Sequence, residues 1–105
     1  MPIALKRLPD ARRDIAEAMR WYEDQKPGLG YRFLKEVNAA ITSLRDKATQ
    51  HSKRFENARR LNLPTFPYAV WYEAKENSVE IFAVLHHSRN PLLVQQRYQS
   101  GHGGG

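Results

Sequence analysis

Two amphipathic segments joined by a short connection constrain the fold of this sequence most. In residues 10–25 the apolar side chains recur at helical spacing, and residues 29–48 repeat that pattern. The intervening Lys26-Pro27-Gly28-Leu29-Gly30 combines a proline, which cannot continue a helix, with glycines that allow positive φ. The pattern therefore predicts an antiparallel helical hairpin, with Asp10 as the N-cap of its first helix. Each apolar stripe needs a further surface to cover it.

The second half of the chain supplies that surface as short strands. Three segments alternate side chains with a period of two, namely residues 58–63, 66–74 and 79–87. The last of them is apolar on both faces from Ile81 to Leu85, which suits an interior strand. Residues 3–8 form a further candidate strand, whereas the polar residues 49–56 are predicted to be a loop.

Together these segments predict one α+β domain with the element order β-α-α-β-β-β. The helical hairpin packs on a small antiparallel sheet, and residues 92–98 add a short C-terminal helical segment after Pro91. A chain of 105 residues has room for a single domain, which we place at residues 1–99. The glycine-rich residues 100–105 are expected to form a flexible tail.

Composition excludes several classes of protein. The chain has no cysteine, which excludes disulfides, thiol catalysis and zinc-thiolate sites and suits a reducing cytosol. No apolar run is long enough to cross a bilayer, and no signal peptide is apparent, so we expect a soluble cytoplasmic protein without a membrane partner. Because a Walker loop, a dinucleotide fingerprint, a nucleophile elbow and an HExxH motif are all missing, kinase, dehydrogenase and conventional hydrolase activities have no support.

Positive charge points to an acidic partner. The formal net charge is +6, and it is densest at two places in the second half of the sequence. Four basic residues between positions 53 and 60 accompany a single acid, Glu56, and no acid follows Glu80. Nucleic acid, an acidic protein and an anionic surface all remain compatible with this pattern.

The end of the last strand carries His86-His87-Ser88-Arg89, which is the first candidate for chemistry. Histidine titrates near neutrality and arginine can bind an anion through two N–H groups, so acid–base work or phosphate contact is one interpretation. A polar strand end that forms local hydrogen bonds is the alternative. Consecutive strand residues point to opposite faces, so the two histidines are a poor metal pair. We predict no metal site and no cofactor, since such sites need three or four convergent ligands.

Two further groups of residues could contact a partner. Arg59 and Arg60 lie on the first strand of the meander, where they could bind phosphate or an acidic protein, or could simply keep an edge strand soluble. Tyr68, Trp71 and Tyr72 could stack on bases, although core packing and cross-strand pairing are the favoured interpretation. Trp21, at the end of the first helix, would mark a protein interface if it is exposed.

Several phrases of the sequence, taken in order over about residues 3–91, resemble the ParE/RelE superfamily of bacterial toxins from type II toxin–antitoxin modules. They are Ala11-x-x-Asp14-Ile15-x-Glu17-Ala18-x-x-Trp21-Tyr22-Glu23, Pro27-Gly28-Leu29-Gly30-x-Arg32-Phe33, Arg60-Leu61 leading to Phe66-Pro67-Tyr68-x-Val70-x-Tyr72-Glu73, and Ile81-x-Ala83-Val84-x-His86-x-x-Arg89-x-Pro91. The resemblance implies the element order that periodicity predicts, with the first strand joining the sheet.

The resemblance also implies a function and partners. Toxins of this kind are encoded with an antitoxin, often in plasmid-stabilising modules, and the antitoxin wraps the toxin in a hetero-oligomer through an extended, usually acidic segment. RelE-like members cut messenger RNA on the ribosome without metal. ParE-like members poison DNA gyrase and are not known as nucleases. The helical hairpin is the expected antitoxin dock, through Trp21, Tyr22, Tyr31 and Phe33.

The wording of the hairpin, Trp21-Tyr22-Glu23 and Pro27-Gly28-Leu29-Gly30, resembles the ParE branch more closely. We therefore expect a growth-inhibiting toxin that acts on DNA gyrase. A RelE-type ribonuclease is the alternative, although this chain has few of the basic residues expected in a RelE-type site, and Tyr98 has a different spacing from the family's C-terminal tyrosine. A degenerate binding module without toxicity is the third possibility. Candidate contacts to the target, or catalytic groups in a ribonuclease, are Arg59, Arg60, His86, His87 and Arg89.

Overall fold

In the computed structural model, which describes residues 3–102, three α-helices, one short 3-10 helix and five strands follow one another along the chain. They are β1 (Ala4–Arg7), α1 (Pro9–Gln25), α2 (Leu29–Lys47), a short 3-10 helix (Ala48–Gln50), β2 (Lys53–Phe55), β3 (Ala58–Asn62), β4 (Tyr68–Ala74), β5 (Ser78–His86) and α3 (Pro91–His102). The predicted α+β class is confirmed, with the helical hairpin between β1 and the remaining strands. None of the described helices is both long and apolar enough to cross a membrane.

The five strands form one sheet in the order β1-β5-β4-β3-β2. The pairs β2–β3, β3–β4 and β4–β5 are antiparallel, whereas β1 joins β5 in parallel, with Leu5 opposite Val79. The prediction of an interior position for β5 is confirmed. The prediction that residues 49–56 form only a loop is wrong, because β2 pairs with β3 at the sheet edge. A charged edge strand needs no apolar alternation, so its sequence gives no strand signal.

The helical hairpin covers one face of the sheet. Its buried side chains include Phe33, Val37 and Ile41 from α2, which pack with Val70 and Tyr72 of β4 among others. Burying one large apolar side chain of this kind contributes about 1.5–3 kcal/mol, so this layer supplies much of the driving force for folding.

The connection between the helices depends on two glycines with different roles. Gly28 has φ of 90°, a left-handed conformation that favours glycine, at the N-cap of α2. Gly30 lies so close to α1 that an added Cβ would come within 2.5 Å of the Met19 carbonyl oxygen. The Glu23 carboxylate accepts hydrogen bonds from both glycine N–H groups. At the other end of α1, Asp10 is not the N-cap as predicted: Pro9 starts the helix and Leu8 is the cap, which leaves Asp10 in the first turn.

Helix α3 covers part of the opposite face of the sheet. Val94 and Tyr98 are buried there against Phe82, Leu85 and Ala58. The helix is longer than the two turns predicted, and it includes Ser100, Gly101 and His102, which were expected to belong to the flexible tail. The remaining tail positions, 103–105, lie outside the described residues.

A buried ion pair holds α3 to the rest of the domain. Arg97 donates hydrogen bonds from Nη1 and Nη2 to the two carboxylate oxygens of Asp14 in α1, at 2.7 and 2.9 Å. Asp14 Oδ2 also accepts the backbone N–H of Val84 in β5, at 3.0 Å. One carboxylate thereby links α1, β5 and α3, and its hydrogen bond raises the pKa of the Arg97 guanidinium.

Candidate functional site

A groove of about 480 Å³ lies where the α3 face of the sheet meets the start of α3. Strands β2 to β5 form its floor and one side, and the first turns of α3 form the other. Its lining residues are Arg54, Phe55, Arg60, Asn62, Ala69, Trp71, Leu85, His86, His87, Arg89, Pro91, Val94 and Gln95. Every charged residue in this set is basic, so the groove favours an anionic ligand.

Four of the five predicted target-contact residues meet in this groove, namely Arg60, His86, His87 and Arg89. Arg59 does not. Strand alternation turns it to the helical-hairpin side, where its Nη1 donates hydrogen bonds to the carbonyl oxygens of His51, at 2.7 Å, and Thr49, at 3.3 Å. Arg59 therefore lies outside the groove, where it holds the segment that follows α2, and its contact with a target stays a prediction.

Arg54 is a groove residue that the sequence interpretation missed as an individual candidate. It belongs to the basic cluster between positions 53 and 60, which was noticed only as a concentration of charge. Because β2 was not predicted, nothing placed Arg54 beside Arg60 across the edge of the sheet. The pairing of Lys53 with Arg59 in β3 is the contact that brings the two basic segments together.

Arg60 and Trp71 contact each other in the lining of the groove. The Arg60 guanidinium carbon lies 5.6 Å from the Trp71 ring centroid, within cation–π range. Burial, and then repulsion from Arg54, lower the pKa of Arg60. Of the three aromatic residues considered for base stacking, Trp71 alone lines the groove. Tyr72 is fully buried on the hairpin side, and its hydroxyl donates a hydrogen bond to the Ala48 carbonyl oxygen.

The two histidines at the end of β5 have different chemical environments. His86 Nδ1 accepts the backbone N–H of Ser88 at 3.0 Å, and the His86 ring packs edge-on against Tyr68. With Nδ1 as acceptor, the neutral ring carries its proton on Nε2 and offers a donor to a ligand. His87 is exposed, and its ring centroid lies 6.5 Å from that of His86. A general base would therefore be His87 rather than His86. Nowhere in residues 3–102 do three His, Cys, Asp or Glu side chains group as metal ligands do.

The predicted antitoxin-binding residues divide into exposed and buried ones. Trp21 and Tyr31 are 56% and 67% exposed on the helical hairpin. Tyr22 is half-buried and packs against Phe33 and Phe66. Phe33 is fully buried, so the prediction that it contacts a partner is corrected: it is a core residue.

Comparison with known proteins decides the family. The family model described as the ParE toxin of the type II toxin–antitoxin system parDE matches residues 5–91. The chain belongs to the ParE toxin family. Eleven chains of known structure match its fold. One of them, from the chromosomal ParDE toxin–antitoxin system of P. aeruginosa, is 17% identical with a TM-score of 0.72 and covers 80% of this chain and 95% of that one. A search of curated proteins finds no significant match.

The ParE match confirms the family that the sequence phrases indicated, on the branch that the hairpin wording favoured. It covers the hairpin, the strands of the meander and the histidine-containing end of β5, and it stops at Pro91, where α3 begins. This protein is thus a ParE-type toxin of a type II toxin–antitoxin system. At 17% identity the solved relative supports the fold alone. The target and the roles of individual residues must therefore be argued from the residues of this chain.

Proposed function

We propose that this ParE-type toxin arrests growth by acting on DNA gyrase in the cytoplasm and is neutralised by a cognate antitoxin. The observation that carries the proposal is the basic groove on the α3 side of the sheet, together with membership of the ParE family. A groove lined by Arg54, Arg60 and Arg89 suits an acidic surface of a protein or a protein–DNA complex. It also uses the four predicted contacts that the fold brings together.

The antitoxin is proposed as a second partner that contacts the helical hairpin. Trp21 and Tyr31 expose large aromatic surfaces there, and aromatic residues of this kind are enriched at the energetic centres of protein interfaces. The solved relative comes from a system described as ParDE, which pairs a toxin with an antitoxin in one module. We therefore expect a toxin–antitoxin hetero-oligomer.

Controlled induction in a growing bacterial culture tests this function. We expect growth to stop, plasmid DNA to lose supercoiling or accumulate breaks, and messenger RNA to stay intact. Co-expression of the cognate antitoxin, which we expect a small neighbouring gene to encode, should restore growth. Uninterrupted growth would contradict the proposal and favour the non-toxic binding module. As a matched control for the groove, Arg60→Gln should reduce toxicity while Arg59→Gln, on the opposite face of the same strand, should retain it.

A metal-free ribonuclease is the second candidate, because the groove also brings His87 together with Arg60 and Arg89. In that mechanism His87 would take the proton of a ribose 2′-hydroxyl as its oxygen attacks the phosphorus, and the arginines would stabilise the charge on the phosphate. The 5′-oxygen would leave with a proton taken from water, the hydroxide formed would be neutralised by the His87 imidazolium, and the Nε2–H of His86 would donate a hydrogen bond to the phosphate. Primer extension on translated messages after induction tests this candidate. Absent cleavage, or cleavage that persists in the double variant His86→Ala, His87→Ala, would exclude it.

A further inference from the structure

The exposed face of α2 carries positive charge that no ion pair neutralises. Arg32, Lys35 and Arg45 are exposed there, and none of them forms an ion pair with another described residue. Helix α2 has two carboxylates, Glu36 and Asp46. Glu36 is turned toward the β3–β4 connection, where it accepts hydrogen bonds from two backbone N–H groups. Of the two, Asp46 alone lies exposed, in the last turn of the helix.

Arg7 adds a fourth cation beside the middle of this face. Its Nη2 donates a hydrogen bond of 2.9 Å to Asn38 Oδ1, so the edge strand β1 holds a guanidinium alongside α2. Asn38 lies between Lys35 and Arg45, where α2 itself has no basic residue. We call Arg7, Arg32, Lys35 and Arg45 the α2 basic face. Along the helix axis, Arg32 and Arg45 are separated by about 20 Å.

Helix α1, which packs against α2 in the same layer, has no such excess of positive charge. It contains five carboxylates and three arginines. Arg13 pairs with Asp10 at 3.3 Å. Arg20 follows Glu17 by three residues and precedes Asp24 by four, which places a carboxylate next to it on either side along the helix surface. The basic face is therefore a property of α2 and does not simply follow from the net charge of +6.

The side chains between these cations favour nucleic-acid phosphates over an acidic protein. Asn38, Ala39 and Thr42 occupy the exposed middle of α2 and are small or polar. A protein interface relies on large aromatic or aliphatic anchors at its centre, and the exposed positions of α2 between 32 and 45 include none. Arg, Lys, Asn and Thr side chains are the usual donors to phosphate and sugar oxygens.

A duplex fits this surface better than a single strand does. Proteins bind single strands in grooves whose aromatic side chains stack on the bases. A helix surface is convex, and the one aromatic residue of α2 between Arg32 and Arg45, Phe33, is fully buried. Each strand of duplex DNA has one phosphate per about 3.4 Å of the helix axis. A row of cations about 20 Å long can therefore meet several phosphates at once.

We propose that the α2 basic face binds the phosphate backbone of duplex DNA without regard to base sequence. Arg7, Arg32, Lys35 and Arg45 each contact a phosphate, and the Thr42 hydroxyl can donate a further hydrogen bond between them. The inference goes beyond the proposed function, because it assigns a second ligand to a surface on the opposite side of the sheet from the groove. A toxin bound to gyrase through the groove leaves this face free to contact the DNA that gyrase holds.

The salt dependence of duplex binding by the purified full-length toxin tests the proposal. Fluorescence anisotropy of a labelled duplex of about 20 base pairs gives the affinity at salt concentrations from about 50 to about 200 mM. Each phosphate contact contributes about −0.9 to the slope of log affinity against log salt, so four contacts predict a slope of about −3.6. The double variant Arg32→Gln, Lys35→Gln should make the slope shallower by about 1.8 and weaken binding roughly fiftyfold at about 0.1 M salt. The matched α1 control, Arg13→Gln with Arg20→Gln, removes the same charge and should change the slope by less than about 0.5.

Resonance shifts of the wild-type toxin locate the bound duplex without any variant. The backbone amides of Ala39 and Thr42 should shift when the duplex is added, whereas the indole N–H of Trp71, in the groove, should not. Four results would each overturn the proposal. They are a slope shallower than about −1, equal effects of the α1 and α2 double variants, shifts at Trp71 without shifts in α2, and tighter binding of the single strand or of a poly-glutamate peptide than of the duplex.

The DNA-binding experiment and the induction experiment fail independently, because the first uses no gyrase. A toxin that arrests growth but does not bind the duplex through α2 would refute the DNA contact and leave the proposed function intact. A protein that binds the duplex through α2 without arresting growth would refute toxicity while keeping the DNA contact.

Discussion

Replacement of Asp14 by alanine should destabilise the fold more than any other single change to a charged side chain described above. Asp14 has a side chain that is only 6% exposed, and it accepts two hydrogen bonds from Arg97 and one from the Val84 N–H. Removing one partner of a buried ion pair typically costs about 3–5 kcal/mol. Arg97 is 18% exposed and also lies 3.8 Å from Asp10, so its charge is not stranded when Asp14 is lost.

We therefore expect the lower end of that range for Asp14→Ala, about 3 kcal/mol of unfolding free energy. The loss of an acceptor for the buried Val84 N–H accounts for about 1 kcal/mol of it. Asp14→Asn keeps that acceptor and loses the charge, so it should cost about 2 kcal/mol. For a domain of this size about 3 kcal/mol lowers the melting temperature by about 12–24 °C.

Urea unfolding followed by circular dichroism measures these differences, with Asp10→Asn as the control because Asp10 is far more exposed and its contact with Arg97 is long. Amide exchange should show in addition that Asp14→Ala loosens α3 before the helical hairpin, since the carboxylate links α3 to the rest of the domain. A cost below about 1 kcal/mol for Asp14→Ala, or an equal cost for Asp10→Asn, would refute the view that this carboxylate holds the three elements together.

Three further sets of substitutions test other parts of the structure. Gly28→Ala should lower the free energy of unfolding by about 1 kcal/mol, because alanine is strained at a left-handed φ although its Cβ would meet no neighbour. Gly30→Ala should lower it by about 3 kcal/mol, because the new Cβ would collide with the Met19 carbonyl oxygen. Urea unfolding that showed the reverse order would contradict this prediction. Burial raises the pKa of Tyr72 to about 12, above its ordinary value of about 10, because the folded state favours the protonated hydroxyl. The contribution of Tyr72 to the free energy of unfolding is therefore complete below pH 10 and is lost as pH rises through 12. Circular dichroism, read together with tyrosinate absorbance, should show that Tyr72→Phe loses less folded structure at alkaline pH than the wild type does. An unchanged alkaline unfolding transition would show that ionisation of Tyr72 does not cause the unfolding. Trp21→Ala and Tyr31→Ala should change the unfolding free energy by less than about 0.5 kcal/mol, because both side chains are exposed, yet each should weaken antitoxin binding about tenfold. Unchanged affinity in isothermal titration calorimetry would show that the hairpin does not contact the antitoxin.

Periodicity was sufficient for the elements whose buried faces repeat. The helical hairpin and the strands β3, β4 and β5 lie close to their predicted positions, because each carries an apolar pattern long enough to set its period. Strand β2 was missed because a three-residue charged edge strand is held by pairing with β3 and not by burial. The length of α3 was underestimated for a similar reason: its burial depends on contacts with strands distant in sequence.

In the candidate site, too, local sequence patterns predict which side chains share a face, whereas contacts between distant segments cannot be predicted from them. Strand alternation requires Arg59 and Arg60 to face opposite sides of the sheet, but only the sheet register decides which of them reaches the groove. Arg97 was missed entirely. The available signal was Asp14, an acid on the buried stripe of α1 between Ala11 and Ile15, since a carboxylate in such a position requires a cationic partner somewhere in the fold.

The central claim, that this ParE-type toxin acts on DNA gyrase, is tested most directly by a supercoiling assay with purified components. Relaxed plasmid, ATP and gyrase are incubated with increasing toxin, with and without the antitoxin, and with the Arg60→Gln variant as control. We predict loss of supercoiling at micromolar toxin, restoration by the antitoxin and a weaker effect of Arg60→Gln. Supercoiling that is unaffected at micromolar wild-type toxin would contradict the claim.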